Sequence, residues 1–371
     1  MSAAEFAGPQ ADSAAGHGLV VCFADGVEEQ TLLALQAIGL RILDLTSDAG
    51  ASSPVHSSWY LSRSVCAAAA ANAGSQRCVL FGQEADRLSP EELRAFVLAA
   101  KDSSADLVLP RFELLPEDAL VNAAFLRPLT AALYGMEAQT PLPAMMAFSS
   151  KLGQRFSSQR GDGDAILWPA AEAAAVRATL AEVPMRQQVF PSPPERELQS
   201  VLSLVLGSFF AEAERQAATW QRVRPKPPEV LTAYAEVTSM SQGVSEAEIS
   251  ELAAGFRNAY QNLQELWGLV LTPQTLLALK RLATLNGDRF EVPDALWARI
   301  VYDFFLAYHA RTMNQNHLLG ALTPLYLAWV ASRLGRGPVS AEQQAEALRD
   351  AFERDKPYLI GRWRSPDRFN P

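Results

Sequence analysis

The chain has 371 residues, of which 49% are hydrophobic and 20% charged, and its formal net charge is −9. The apolar fraction excludes a disordered chain, and 21 glycines with 23 prolines are too few for a collagen-like or low-complexity sequence. The excess of acidic residues argues against a dedicated nucleic-acid binder, because phosphate contacts need a basic surface.

The first part of the chain alternates short apolar runs with helical patterns. The runs predict strands over 18–23, 41–45, 78–81 and 105–110. Helical spacing covers 28–38 and the alanine-rich segment 63–73, and Ser89-Pro90 followed by two acids is typical of a helix start. This order predicts an α/β unit with a mainly parallel sheet and helices on both faces.

The second part is predicted to be helical almost throughout. Helical patterns cover 195–221, a stretch beginning at Ser245, 272–285, 293–311, 316–334 and 341–354. We interpret an aromatic stripe within 293–311 as helix core, formed by Trp297, Tyr302, Phe304, Phe305 and Tyr308. The proline-rich segment 190–194 can continue neither a helix nor a central strand, so the predicted domains are 18–192 and 193–371.

Cysteine and histidine are scarce. Cys22, Cys66 and Cys78 are odd in number and lack metal-type spacing, which predicts reduced thiols in a reducing compartment. His309 and His317 lie eight residues apart, whereas a metal pair on one helix face prefers four, so we interpret them as packing or surface residues.

No targeting or membrane segment is evident in the sequence. Residues 1–17 lack the basic start and apolar run of a signal peptide and are predicted to form a disordered tail. The longest apolar run, near 201–211, is shorter than the roughly 20 residues that a membrane span needs. The predicted location is therefore the cytoplasm.

Several strings of residues resemble bacterial nucleotide-sugar glycosyltransferases of the glucosyl-3-phosphoglycerate and mannosylglycerate synthase group. In the first part the similarity covers 105–110, Asn122 and the run from Pro128 to Gly135. In the second part it covers 293–304, 307–309, 322–327, 356–359 and 362–364, which look like the helical appendage of the same group.

The resemblance implies a Rossmann-like A-type glycosyltransferase domain with a helical C-terminal region. The family transfers sugar from a nucleotide diphosphate sugar to a small hydroxylated acceptor. A divalent metal held by carboxylates, Mg²⁺ or Mn²⁺, neutralises the leaving diphosphate. The family therefore needs an acidic site near the C-terminal edge of its sheet.

Three acidic residues stand near positions that the family uses for nucleotide and metal. Asp48 matches the acidic turn that contacts the base, although an aspartate in a turn equally serves its own hydrogen bonding. The metal motif Asp-x-Asp corresponds here to Gly82-Gln83-Glu84, so that Glu84 keeps one carboxylate and Asp86 is a nearby substitute.

Other family positions have lost their chemistry. Gly82 replaces the first aspartate of the metal motif, and Met145 replaces the acid of a Gly-Gly-Asp turn. Phe190 replaces a metal-binding histidine, and the lysine expected before the second helix is missing around Ser58-Trp59-Tyr60. The resemblance therefore assigns no catalytic residue and no complete metal site in this chain.

Three hypotheses follow for function. The first is a glycosyltransferase-like protein with lost or greatly reduced metal-dependent transfer, acting as a binding or regulatory subunit. The second is an active enzyme with a rearranged site built from Asp48, Glu84 and Asp86, and it alone requires the divalent metal. The third is an assembly protein that uses its helical half. The partners implied are a nucleotide sugar, an active relative, or a second copy of the chain.

Overall fold

A computed structural model describes residues 18–24, 29–45, 59–83, 87–112, 120–158, 163–185, 197–222, 229–230, 246–285, 290–335 and 341–365. The described residues fall into two compact units. The sheet unit lies within Met1–Leu114, Met136–Pro194 and Lys226–Ser239, and the helical unit within Leu115–Gly135, Glu195–Pro225 and Met240–Pro371. The predicted tail, 1–17, lies outside the described residues.

Over the described residues, the sheet unit contains seven strands in the order β2-β1-β3-β5-β4-β6-β7. They are β1 (Leu19–Phe23), β2 (Arg41–Asp44), β3 (Arg77–Phe81), β4 (Leu107–Arg111), β5 (Met145–Phe148), β6 (Leu180–Pro184) and β7 (Glu229–Val230). β5 runs antiparallel to both β3 and β4, whereas the other neighbouring strands are parallel. The α/β class is therefore confirmed, with a mixed sheet.

Helices cover both faces of this sheet, as its parallel βα order predicts. They are α1 (Glu29–Gln36), α2 (Arg63–Ala73), α3 (Pro90–Asp102), α5 (Ser150–Ser158) and α6 (Pro169–Ala175). The helix α4 (Arg127–Tyr134) belongs to the other unit. Val21, Val79 and Val108 share a core with Phe96 of α3. On the opposite face Cys22 and Cys78 face Cys66 of α2, and all three are buried free cysteines.

Ser89 caps α3 as predicted: its hydroxyl accepts the amide of Glu92 at 3.3 Å. At the amino-terminal edge of the sheet, Asp106 holds three strands in place. Its carboxylate accepts the Ser149 hydroxyl at 3.0 Å and the Thr179 amide at 3.1 Å, which joins the start of β4 to the end of β5 and the start of β6. These contacts help to set the position of the antiparallel strand.

The helical unit consists of a π-helical segment (Asn122–Leu126) and eight α-helices. The helices are α4 (Arg127–Tyr134), α7 (Leu198–Arg215), α8 (Ala217–Trp220), α9 (Glu246–Gly268), α10 (Pro273–Ala283), α11 (Asp294–His309), α12 (Gln315–Leu334) and α13 (Ala341–Arg364), counted over the described residues. Every residue of α4 from Pro128 to Tyr134 is buried. A helix that is apolar all round needs packing partners on every side, and α4 finds them among helices of this unit.

The predicted aromatic stripe of α11 is confirmed as core, because all five of its residues are buried. Buried Trp297 donates its indole N–H to the carbonyl of Ala124 in the π-helical segment at 2.9 Å. Trp267 donates in the same way to Ala321 of α12 at 2.9 Å. Buried tryptophans whose indole N–H groups are hydrogen-bonded therefore join helical segments that lie far apart in the sequence.

Among the described residues, the longer helices are all too polar for any stretch of them to cross a lipid bilayer.

Candidate functional site

The C-terminal edge of the sheet, at β1 and β3, is where ligand chemistry is expected. In open α/β sheets, ligands bind outside the carboxyl ends of the strands where the strand order reverses. Here β2 lies on one side of β1 and β3 on the other, so the reversal falls between β1 and β3. Phe23 and Phe81 end these two strands, and their rings stack at 5.1 Å between centroids.

Gly82 directly follows β3, at the position where the resemblance predicts the first aspartate of a metal motif, and there is little space for a side chain there. Its amide donates to the carbonyl of Ala144 at 2.8 Å. A Cβ atom on Gly82 would lie 2.8 Å from the same oxygen and 3.0 Å from Cδ2 of buried Leu61. An aspartate side chain here would therefore require the backbone at Ala144 to shift.

Met145, at the position where the resemblance predicts the acid of a Gly-Gly-Asp turn, begins β5. It pairs with Phe81 in the antiparallel ladder and is fully buried in the core that contains Phe96 and Val79. An aspartate here would place an unpaired charge among apolar side chains, which is costly. The thioether therefore acts as core packing.

The N-terminus of α2 does not offer its amides to a phosphate. Free amides at such an end bind anions when nothing else occupies them. The Arg63 amide donates to the Ala165 carbonyl at 2.9 Å, and the Ser64 amide to the Gly163 carbonyl at 2.8 Å. The Val65 amide donates to the hydroxyl of Ser62 at 3.3 Å. The chain's own loop thus satisfies the first three amides of the helix.

Two arginines lie near this edge, and both bind one buried carboxylate. Arg63 donates to Oε1 of Glu172 at 3.2 Å, and Arg155 donates to Oε2 at 2.6 Å. The Glu172 side chain is 0% exposed, against 14% for Arg63 and 28% for Arg155. No local sequence pattern indicates this group, because its members lie on α2, α5 and α6 and only the tertiary structure brings them together.

A second buried carboxylate, Glu182 of β6, holds the loop that leads into β5. Its Oε1 accepts the amide of Gln139 at 2.6 Å. That loop ends at Ala144, whose carbonyl binds Gly82. Glu182 therefore helps to position the backbone that closes the Gly82 site.

The remaining predicted site residues, Asp48, Glu84, Asp86 and Phe190, lie outside the described residues. Within the described part of the chain, no three His, Cys, Asp or Glu side chains are grouped as a metal site would require. Gly82 and Met145 provide no oxygen ligand from a side chain. The residues described at this edge do not fit a divalent cation, and we derive no catalytic step through one.

In the helical unit, the strings that carry the resemblance meet in one polar network. Arg299 of α11 binds Asp355 of α13 through two hydrogen bonds of 2.7 and 2.5 Å. Its guanidinium also lies 3.6 Å from the ring centroid of Tyr358. Tyr358 donates its hydroxyl to buried Asp303 of α11, and Arg362 donates to the Tyr358 oxygen at 3.3 Å. These contacts join α11 to α13.

Within this network, the pKa of the Asp303 carboxyl group is raised. Burial raises the pKa of Asp303 from 3.8 to about 6. Hydrogen bonds from Tyr358 and the Thr272 amide, together with the charges of Arg362 and Arg299, favour the ionised form and limit the rise.

His309 and His317, whose spacing of eight residues argues against a metal pair, are both exposed. His309 stacks on Trp363 at 3.7 Å between ring centroids, and its Nδ1 lies 3.0 Å from Oε1 of Glu214. Arg311 binds the same carboxylate at 2.8 Å. His309 is therefore a packing and surface residue, as predicted.

In comparisons with known proteins, no family model matches the chain, and no curated protein matches it.

Proposed function

We propose that this chain is a glycosyltransferase-like protein that has lost metal-dependent sugar transfer, or retains little of it, and acts as a binding or regulatory subunit. We further propose that its sheet unit is the Rossmann-like A-type domain of that family. The resemblance of the central and C-terminal strings supports the family. The parallel order β2-β1-β3 is compatible with a nucleotide-binding half.

The observation that best supports the proposed loss of transfer is the lack of space for a side chain at Gly82. An aspartate there would require a backbone shift, because its Cβ atom would lie 2.8 Å from the Ala144 carbonyl oxygen and 3.0 Å from Leu61. Met145 is buried at the second family position, and the loop carbonyls of Gly163 and Ala165 take the amides that begin α2.

Among the described residues of this edge, few groups offset the charge of a leaving diphosphate. An anion moved into a poorly hydrated site without a cation or hydrogen-bond donors costs several kcal/mol. The guanidinium groups of Arg63 and Arg155 already bind Glu172. The described edge therefore favours binding of a neutral or weakly charged portion of a ligand over diphosphate release.

The test is a transfer assay on the full chain with a panel of UDP, GDP and ADP sugars, with Mn²⁺, with Mg²⁺ and with a chelator. We expect no sugar transfer or sugar release above background in any condition. Titration calorimetry on the same panel should show that any nucleotide-sugar binding is unaffected by the chelator.

Robust metal-dependent transfer would overturn the proposal and favour the rearranged enzyme. In that case Glu84→Ala should abolish the activity, whereas Glu91→Ala, a change at an exposed residue at the start of α3, should preserve it. Light scattering then tests the subunit role. A monomer that binds neither a nucleotide sugar nor a partner contradicts it.

A further inference from the structure

A buried carboxylate of the helical unit connects the start of one helix to the side of another. Asp303 of α11 is 2% exposed. One of its oxygens accepts the hydroxyl of Tyr358 on α13. The other accepts the backbone amide of Thr272 at 3.4 Å. Asp303 thus contacts two elements that are 31 and 55 residues away in the chain.

Thr272 is the N-cap of α10, so its position decides how that helix begins. Its hydroxyl accepts the amide of Thr275 at 3.3 Å and lies 2.9 Å from the hydroxyl of Thr275. A cap of this kind stabilises a helix start by about 1 kcal/mol. Anything that holds the Thr272 amide therefore supports the first turn of α10.

The charges around Asp303 come from α11 and α13. Arg299 lies one turn before it on α11 and binds Asp355, while Arg362 of α13 donates to the Tyr358 oxygen. From the start of α10, the group that faces Asp303 is the uncharged Thr272 amide. The ionised carboxylate is therefore the negative group to which both a hydroxyl and an amide donate.

Protonation changes both bonds. A carboxyl proton directed at Tyr358 reverses that bond, so that Asp303 donates and the tyrosine oxygen accepts. The other oxygen then binds the Thr272 amide as a neutral carbonyl, and a hydrogen bond to a neutral acceptor is about half as strong as one to a carboxylate.

We propose that Asp303 forms a pH-sensitive contact between helices: its ionised carboxylate holds the start of α10 to α11 and α13, and its protonation weakens the first turn of α10. This contact lies within the helical unit, and the proposal does not depend on the function proposed for the sheet unit. The group titrates near pH 6, because burial raises its pKa to about 6.

The test is amide hydrogen exchange on the full chain, measured by mass spectrometry at pH 5.0 and pH 7.5 and corrected for the intrinsic rate at each pH. We expect protection at 272–276 to fall about fivefold at the lower pH, the difference between charged and neutral hydrogen bonds. Asp303→Asn, which imitates the protonated group, should show the lower protection at both pH values.

Two further variants keep the test decisive. Tyr358→Phe removes a donor that favours the ionised form, so the midpoint of the loss should move to higher pH. Asp294→Asn, at another carboxylate of α11 that binds Arg333, should leave the midpoint unchanged. Protection at 272–276 that is independent of pH, or a full pH response in Asp303→Asn, would overturn the proposal.

Discussion

At the scale of single residues, space decides which chemistry a position can hold. A Cβ atom on Gly82 would lie too close to a backbone oxygen and to Leu61, so a larger residue there requires a shift. Met145 is buried in the ladder with Phe81, and its neighbours are apolar. The resemblance predicts an acid at both positions, and the surroundings of Gly82 and Met145 are unfavourable for one.

The first prediction concerns Gly82→Ala. A Cβ atom 2.8 Å from the Ala144 oxygen requires a backbone shift, and we expect the free energy of unfolding to fall by about 1–3 kcal/mol. Gly255→Ala is the matched control, because its Cβ atom would meet nothing within 4 Å on α9. The control should be neutral or stabilise by up to about 1 kcal/mol. Urea denaturation measures both, and an unchanged midpoint for Gly82→Ala would show that the site is open.

At the scale of elements, buried carboxylates join segments that lie far apart in the sequence. Glu172 of α6 binds Arg63 at the start of α2 and Arg155 of α5. Glu182 of β6 holds the loop before β5, and Asp303 joins α10 and α13 to α11. In the helical unit, the strings that carry the resemblance contact one another between α11 and α13.

The second prediction concerns Glu172→Gln. The substitution keeps the size of the side chain but leaves two guanidinium groups without their buried counter-charge. Removing one partner of a buried ion pair costs about 3–5 kcal/mol, and partial exposure of both arginines lowers the expected loss of stability to about 2 kcal/mol. Exposed Glu91→Gln should change the free energy of unfolding by less than about 0.5 kcal/mol. Equal losses for both variants, measured in urea, would contradict a specific role for Glu172.

At the scale of the whole molecule, stability depends on pH through groups whose pKa differs between the folded and unfolded states. Burial raises the pKa of Asp303 from 3.8 to about 6. Between these values the folded state binds more protons than the unfolded state, so this group's contribution to stability falls as pH rises. The global effect is opposite in sign to the local one, because protonation relieves the buried charge while it weakens the bond to Thr272.

The third prediction compares wild type with Asp303→Asn across pH 4.5 to 7.5. The stability of the wild type relative to the variant should fall by about 2 kcal/mol between pH 4.5 and pH 7.5, because one pKa unit corresponds to about 1.4 kcal/mol and the folded-state pKa of about 6 lies within this range. Tryptophan fluorescence follows the unfolding, since Trp220, Trp267, Trp297 and Trp329 lie in the helical unit. A stability difference that is constant with pH would show that Asp303 titrates at its ordinary value.

Much of the fold could be predicted because the signals are local. The helix from Arg63 to Ala73 has the predicted bounds, and the predicted Ser89 cap is present. β5 was missed: it is four residues long and contains Met145 and Met146, and its antiparallel direction depends on pairing with β3 and β4. No pattern within such a short apolar run distinguishes a strand from a helix.

The sequence by itself determined the α/β class, the helical character of the second part and the buried aromatic stripe of α11. These follow from periodicity, capping residues and the types of residue at particular positions. Only the tertiary structure decided that Gly82 is closed, that the first amides of α2 are taken, and that Arg63 and Arg155 bind Glu172. Those properties depend on distances between segments that are remote in the chain, and the sequence does not encode such distances in any local pattern.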